Sequence, residues 1–408
     1  MEPYHWDCDD QGLFYYGDEL NNSSRSAAHG YWKVYTSPIN PFIPRGWIGT
    51  CQFPQITTGG LQDSWQHGAD LYGVYHDLLG FLPSRDDSPS PSWRDKVRYR
   101  VTNNVITSQV AGMVIAGMWN TTQPVPLQIQ ASTVDSLEPR YSCPASKDLF
   151  SQIQANERWT SHLTAASPLY TELDAISGVP PDDEGFHESL DHYYDNLSAR
   201  QCHAKPFPCN ITSPDKCVNQ SQADSVYRLG HYEYSHIYRD SGPETLAASV
   251  ASYGVWIAEL AAHLRAVPDS EKEGSGDYEG PIWFHNVAHD GSVSRLLSVL
   301  QMDEMVWPGM GSEVVFEVYK GKGSNEGKEV GKESSMPKME KGDRRGGTAA
   351  EGESGTGYFV RVLFSGKVFK SSNPSLGKMD LLPLETLLAY FDGLVGKDAS
   401  LVKEKCAG

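Results

Sequence analysis

A histidine and an aspartate stand side by side where a predicted strand gives way to a predicted helix. His289 and Asp290 follow the apolar run 281–284 and precede apolar residues at 293, 296, 297 and 300, which is helical spacing. The first turn of a helix offers unpaired N–H groups and partial positive charge to an anion. An imidazole and a carboxyl at that place add groups for proton transfer. The pair is therefore a candidate site for anion binding and acid–base chemistry.

The same dipeptide also arises by chance, and a second copy illustrates this. His76-Asp77 lies inside a run with helical periodicity, and we interpret it as part of a solvated helix face. The strand-to-helix context distinguishes the pair at 289–290.

The elements that must position this pair alternate between helical and strand periodicity. Apolar spacing predicts helices over 60–82, 107–119 and 249–267, and mostly helical structure over 140–265. Alternation predicts strands over 96–101, 313–320 and 357–369, the last two pairing as a hairpin. A final helix is predicted over 381–396, with Pro383 in its first turn.

The segment 321–356 between the two paired strands differs in composition. Residues 320–357 contain eight Lys/Arg, seven Asp/Glu and ten Gly and have no apolar period. Such a composition cannot bury a core, so we predict a disordered insertion.

Composition excludes two classes of protein. The 408 residues carry a formal net charge of −18 and contain no basic stripe, so binding to nucleic acid phosphates is not expected. No run approaches 18 uncharged apolar residues, so no membrane span is expected. The length suits one large domain or two moderate ones.

Cysteines and glycosylation sequons indicate an oxidising compartment. The cysteines lack CxxC or zinc-type spacing, and their odd number leaves at least one without a partner in this chain. They are Cys8, Cys51, Cys143, Cys202, Cys209, Cys217 and Cys406. The Asn-x-Ser/Thr sequons are Asn21, Asn22, Asn120, Asn196, Asn210 and Asn219. Together they predict a disulfide-bonded, glycosylated protein of the secretory pathway, with Cys8–Cys51 and a bond from Cys406 as candidate pairings.

The first residues do not look like a signal peptide. The opening MEPYHWDCDDQGLFYYGDEL is polar and acidic and has no apolar h-region. Either secretion takes another route or the sequence as given lacks its natural N-terminus, and we favour the second interpretation.

Several segments, in order and spacing, resemble the histidine acid phosphatases. They are YRVTNNVITSQVAGMVI, ITTGGLQDSWQHGADLYGVYHDLLGFL, AHDGSVSRLLSVL and the tail YFVRVLFSGK…LPLETLL, and the resemblance covers roughly 45–408. It implies an α/β fold with a phosphoglycerate-mutase-like mixed-sheet core over 1–139 and 241–408, with the first core strand missing. It also implies a mostly helical cap over 140–240, no cofactor, and a small phosphomonoester or phosphosugar as substrate.

The resemblance also assigns roles to single residues. In active members, an RHGxRxP motif supplies the nucleophilic histidine and two arginines, and a later RTxxS-type motif supplies a third arginine. A second histidine then binds the phosphate, and the aspartate beside it protonates the leaving oxygen. His289 matches this second histidine and Asp290 matches the acid. Arginine forks suit a trianionic transition state, and covalent transfer divides the reaction into two easier steps.

The remaining machinery does not match. Arg-His-Gly occurs nowhere in the 408 residues, and the nearest string is Ala28-His29-Gly30 in a polar loop. The third arginine aligns with Ile106, which cannot hold a phosphate. Arg100, six residues earlier, is a weak candidate for phosphate binding and a better one for an ion pair.

Two explanations compete for these departures. A truncated gene model removes the signal peptide, the first strand and the nucleophile together, but it leaves Ile106 unexplained. A divergent subfamily with reduced activity explains Ile106. Either way, the chain as given is predicted to have no appreciable phosphatase turnover. The reason is that loss of one residue of a catalytic unit removes most of the rate enhancement of the whole unit.

Two functions of other classes stay open. One is a non-catalytic secreted glycoprotein that binds a phosphorylated or sugar ligand. The other is a glycosidase, for which Asp182, Asp183 and Glu184 are the candidate carboxylates, although they lie in a Pro-rich loop without an evident partner.

Overall fold

The computed structural model describes residues 15–16, 30–31, 39, 56–85, 92–210, 212–272, 280–321 and 357–407. The helices are α1 (Thr58–Tyr72), α2 (Trp93–Lys96), α3 (Val105–Trp119), α4 (Pro144–Gln154), α5 (Glu157–Ser177), α6 (Asp191–Cys202), α7 (Gln220–Ser235), α8 (Pro243–Lys272), α9 (Asp290–Val299), α10 (Leu384–Val395) and α11 (Val402–Ala407). The strands are β1 (Tyr15–Tyr16), β2 (Gly30–Tyr31), β3 (Val97–Val101), β4 (Leu127–Gln128), β5 (Trp283–Val287), β6 (Val314–Lys320), β7 (Tyr358–Phe364), β8 (Lys367–Val368) and β9 (Leu382–Pro383). Two π-helical turns, Gly73–Leu78 and His236–Asp240, and a 3-10 turn, Lys397–Ala399, complete the elements.

A three-stranded parallel sheet positions the candidate pair. Its order is β4-β3-β5, and β3 and β5 pair from Val97↔Trp283 to Val101↔Val287. The predicted alternation of β3 is present, since Val97, Tyr99 and Val101 are buried. Because parallel strands end at the same edge, the residues after β3 and after β5 lie side by side.

A second, antiparallel sheet contains the two strands predicted as a hairpin. β6 and β7 pair from Val314↔Phe364 to Lys320↔Tyr358, and β8 and β9 both pair with β7. Of the predicted insertion between them, residues 322–356 lie outside the described residues.

The long helix α8 is the centre of the largest core cluster. Its Ile257 packs in one cluster with Leu297 of α9, Val360 of β7 and Leu387 of α10, and each of these side chains is fully buried. By length and composition, Pro243–Asp269 is the single helix in the described part of the chain that is apolar enough to cross a membrane. In this fold, packing inside the protein accounts for its apolar character.

The helices α5 to α7 carry a cluster of their own. Buried side chains between Ala166 and Val226 pack together, apart from the cluster around α8. This is the helical subdomain that the sequence led us to expect, and 140–240 remains our proposal for its limits.

Two disulfides lie among the described residues. Cys143 is bonded to Cys406, so the expected bond from Cys406 is present, and Cys209 is bonded to Cys217. Cys202 is exposed and free. Cys8 and Cys51, with the pairing considered for them, lie outside the described residues.

Two helix limits differ from the prediction. The helix expected over 60–82 changes to a π-helical turn at Gly73 and ends at Leu78. His76, in this turn, contacts the carbonyl oxygen of Leu82 with its Nδ1 atom at 2.8 Å. Pro383 directly precedes α10 and pairs with β7, so it lies just outside the first turn in which we expected it.

Glycines allow α1 and α3 to approach each other closely. A Cβ atom at Gly68 would overlap the carbonyl oxygen of Val114, and one at Gly117 would overlap that of Trp65. A neighbouring glycine, Gly112, has open space where its Cβ would be. The contact therefore depends on glycine at 68 and 117 but not at 112.

We expect Gly117→Ala to lower the free energy of unfolding by about 1–3 kcal/mol, because the two backbones must separate to admit the methyl group. The matched control is Gly112→Ala, which should be neutral or raise it by up to about 1 kcal/mol through helix propensity. Apparent melting temperatures of the two variants and the parent protein test this. Equal effects of the two substitutions would contradict the close approach.

Candidate functional site

The candidate pair lies where β5 ends and α9 begins, as the sequence predicts. His289 is the N-cap residue of α9 with extended backbone angles (φ −119°, ψ 163°), and Asp290 is the first helical residue. The carbonyl of His289 accepts hydrogen bonds from the backbone N–H of Ser292 and of Val293. The His289 side chain makes no capping hydrogen bond and is free to serve the site.

His289 contacts a hydroxyl at the end of β3 and a carboxylate from a connecting segment. Its Nε2 lies 2.9 Å from Oγ1 of Thr102 and 3.8 Å from Oε2 of Glu138. The other carboxylate oxygen of Glu138 accepts hydrogen bonds from Arg140. The His289 side chain is 31% exposed, so a ligand can reach it.

Three donors hold the Asp290 carboxylate in place. Tyr234 Oη and Trp307 Nε1 both donate to its Oδ2, at 2.6 and 2.8 Å, and the backbone N–H of Gly291 donates to its Oδ1 at 2.7 Å. Asp290 is therefore oriented by the protein before any ligand arrives.

The two side chains that hold Asp290 belong to a stack of three aromatic rings. Trp307 lies between Tyr194 and Tyr234, with ring centroids 3.8 and 4.0 Å away and nearly parallel planes. The stack brings helices α6 and α7 of the helical subdomain into contact with the site. Burial, followed by the nearby Asp290 carboxyl, raises the pKa of Tyr234 well above its usual range, so the phenol keeps its proton and remains a donor.

Sequence reasoning missed Thr102, Glu138, Tyr234 and Trp307. Thr102 follows β3 within the segment YRVTNNV, so the predicted strand end is a usable signal for it. Glu138 and Tyr234 precede His289 by 151 and 55 residues, and Trp307 follows Asp290 by 17 residues. Nothing in the local sequence of these three residues signals a site.

Arg100, considered as a phosphate ligand, has other partners. Its guanidinium donates to Glu259 Oε2 at 2.7 Å and to Asp135 Oδ1 at 3.2 Å, and also to Gln130 and Ser136. This network joins β3 to α8, as the ion-pair alternative expects, and it leaves phosphate binding by Arg100 an untested prediction.

The described part of the site is poor in free positive charge. Ile106 stands in the first turn of α3, where its backbone N–H donates to the N-cap Asn104. Arg295 of α9 donates to Ser252 and to the carbonyl of Gly291. Within the described ranges, neither His289 nor Asp290 is paired with an arginine or a lysine, while Glu138 places a negative charge beside His289.

The other candidates lie away from this site or outside the described part. Asp182, Asp183 and Glu184 lie in a turn, where Asp183 caps the N–H of Phe186. His29 falls outside the described residues. In the portion of the chain that the structure describes, no group of three or more His, Cys, Asp or Glu side chains could hold a metal ion.

The sequons differ in their surroundings. Asn120 and Asn219 are exposed, and Asn21 and Asn22 lie outside the described residues. Asn210 uses its Nδ2, the atom that would carry a glycan, to donate to the carbonyl of Ala175. Asn196 is 2% exposed, so the fold leaves no room for a glycan there and this predicted site is corrected.

The fold as a whole can be compared with known proteins. No family model matches the chain. A curated relative, Counting factor 60 of Dictyostelium discoideum, is 22% identical over 324 residues, covering 77% of this chain and 70% of its own length. Hafnia alvei phytase superposes with a TM-score of 0.51 at 13% identity, covering 86% of this chain and 89% of its own. Klebsiella sp ASR1 phytase superposes with a TM-score of 0.54 at 12% identity, covering 87% and 90%.

The fold is that of these phytases. The phytase fold confirms the predicted α/β architecture with a helical subdomain. At this identity the similarity extends to the fold alone, so the chemistry of the site must be argued from its own residues.

A titratable group supports the stacked aromatic residues. The backbone N–H of Trp307 donates to Nδ1 of His231 at 3.2 Å, so this nitrogen must be unprotonated. Burial lowers the pKa of His231 from its ordinary value of 6.5, in agreement with that role. Below pH 6.5 the unfolded chain takes up this proton before the folded protein does, so acid removes the stability that the contact contributes.

We expect His231→Gln to reduce the loss of apparent melting temperature between pH 7.5 and pH 5, because glutamine offers an acceptor that does not titrate. The same substitution at His192, whose side chain is 34% exposed, controls for the removal of one histidine. If both variants lose as much stability as the parent protein over this range, His231 does not carry the effect.

Proposed function

We propose that this chain is a histidine acid phosphatase-like protein of the secretory pathway that, as given, does not turn over phosphomonoesters. The observation that carries the proposal is the His289–Asp290 pair at the junction of β5 and α9, oriented by Tyr234 and Trp307 but without an arginine partner among the described residues. Phytase-like structures support small phosphate esters as the ancestral substrate class.

The pair supplies only part of a phosphatase site. Asp290 is placed to give a proton to a leaving oxygen, and His289 to bind an oxygen of the phosphoryl group. The Arg-His-Gly string that carries the nucleophilic histidine in the active enzymes does not occur in the 408 residues. Protonation of the leaving oxygen by Asp290 assists cleavage of the phosphate ester only when a nucleophile accepts the phosphoryl group.

The charge of the site supports the same proposal. A phosphomonoester develops further negative charge in the transition state and needs preorganised cations. Ile106 replaces one arginine, Arg100 is held by Glu259 and Asp135, and Glu138 adds a carboxylate 3.8 Å from His289. Each of these features weakens the binding of a phosphate dianion.

We expect the purified chain to hydrolyse an aryl phosphate between pH 4 and 6 no faster than its His289→Ala variant. The measurement is release of the phenol at enzyme concentrations high enough to detect turnover several orders of magnitude below an active phosphatase. Matched melting temperatures of the two proteins serve as the folding control. The proposal is contradicted if the parent chain hydrolyses the aryl phosphate and the His289→Ala substitution abolishes that turnover.

A second candidate is a non-catalytic glycoprotein that binds a phosphorylated or sugar ligand. It is favoured by an oriented and partly exposed polar pair in a chain without the Arg-His-Gly string. Calorimetric titration with a hexose phosphate and with the parent hexose separates the two ligand classes. Binding of either probe that is lost in His289→Ala supports this candidate, and absence of binding by both argues against it.

A further inference from the structure

Two buried hydroxyls continue the contact of His289 into the protein. Thr102 Oγ1 lies 2.9 Å from His289 Nε2 and 3.0 Å from Thr107 Oγ1. Thr107 Oγ1 lies 2.9 Å from the carbonyl oxygen of Asn104 and 3.2 Å from that of Thr102. Thr102 and Thr107 are 0% and 2% exposed, so solvent does not compete for these contacts.

Counting protons links the directions of the hydrogen bonds that join Thr107, Thr102 and His289. A hydroxyl has one proton, and a carbonyl oxygen can only accept. The Thr107 hydroxyl has two carbonyl oxygens within reach, and we infer that it donates to the nearer one, that of Asn104. Thr107 then accepts from the Thr102 hydroxyl. With its own proton given to Thr107, Thr102 can only accept from His289, and Nε2 must carry a hydrogen.

We propose that Thr107 and Thr102 are positioning residues that fix His289 as the tautomer protonated on Nε2, leaving Nδ1 as the nitrogen available to a ligand. The inference rests on the proposed site at His289. Glu138 Oε2, 3.8 Å from Nε2, adds a negative charge on the same side of the ring and favours a proton there. Nδ1 has no hydrogen-bond partner among the described residues, and the side chain does not cap α9.

The fixed tautomer determines how the site responds to acid. Because Nε2 keeps its proton in both ionisation states, protonation of the ring occurs at Nδ1. Neutral His289 offers a ligand a lone pair, which suits a hydroxyl donor. Protonated His289 offers an N–H, which suits the oxygen of a phosphate or a carboxylate. Anion binding at this site should therefore strengthen as the pH falls.

The test is nuclear magnetic resonance of the ring nitrogens in the full chain labelled with ¹⁵N-histidine, with His289 assigned by its loss in His289→Gln. We expect the Nε2–H tautomer in an excess of about tenfold, the ratio that one hydrogen bond of ordinary net strength supplies. Thr107→Val, which does not touch His289, should move the ring toward Nδ1–H. The Thr102 hydroxyl then has no acceptor at 107 and donates to Nε2 instead.

Thr107→Ser is the matched control, because it keeps the hydroxyl and should retain the parent tautomer. Nδ1–H as the main form in the parent chain overturns the proposal, and this result needs no variant other than the His289→Gln protein used for assignment. A folded Thr107→Val protein with the parent tautomer overturns it as well.

Inorganic phosphate separates this inference from the proposed function. If added phosphate at pH 5 shifts the Nδ1 resonance and leaves Nε2 nearly unchanged, both stand. If it shifts neither resonance while the tautomer is as expected, the positioning of His289 by Thr107 and Thr102 is supported and the proposed anion site is contradicted.

Discussion

Five residue pairs between β3 and β5 hold the ends of the two strands side by side. Because the pairing is parallel, both chains leave the sheet at the same edge, Thr102 after β3 and His289 after β5. The 2.9 Å contact between these two side chains is a direct consequence of that register. A shift by one residue would turn His289 to the other face and remove the contact.

The helical subdomain contributes to the site through aromatic rings rather than through charged groups. Trp307 joins Tyr194 of α6 to Tyr234 of α7, and two of the three rings donate to Asp290. The orientation of the Asp290 carboxylate therefore depends on how α6 and α7 pack against the segment that carries Trp307. Positive charge is arranged differently, since the described arginines near the site serve structural contacts, as Arg100 does with Glu259. Among the described residues, Asp290 is thus firmly oriented while no arginine or lysine pairs with it or with His289.

The sequence was sufficient for the elements whose pattern is local. The period of apolar residues identified β3, α3, α8 and the pairing of β6 with β7, and the change of period at 289–290 located the site. It was insufficient where distant residues meet in space. Glu138 and Trp307 come to the pair only through the folded arrangement of the chain, and no local pattern records that. Asn196 shows the converse, because its sequon is local while its 2% exposure is set by packing against the rest of the subdomain.

The bond between Cys143 and Cys406 joins positions that are 263 residues apart. A ribosome that adds roughly 5–20 residues per second needs on the order of ten seconds to one minute to traverse that distance. During this interval Cys143 has already been synthesised and its partner has not, whereas Cys209 and Cys217 emerge almost together. The Cys143–Cys406 bond can therefore form only after almost the whole of this chain has been synthesised, whereas the Cys209–Cys217 bond can form as soon as its short loop has emerged.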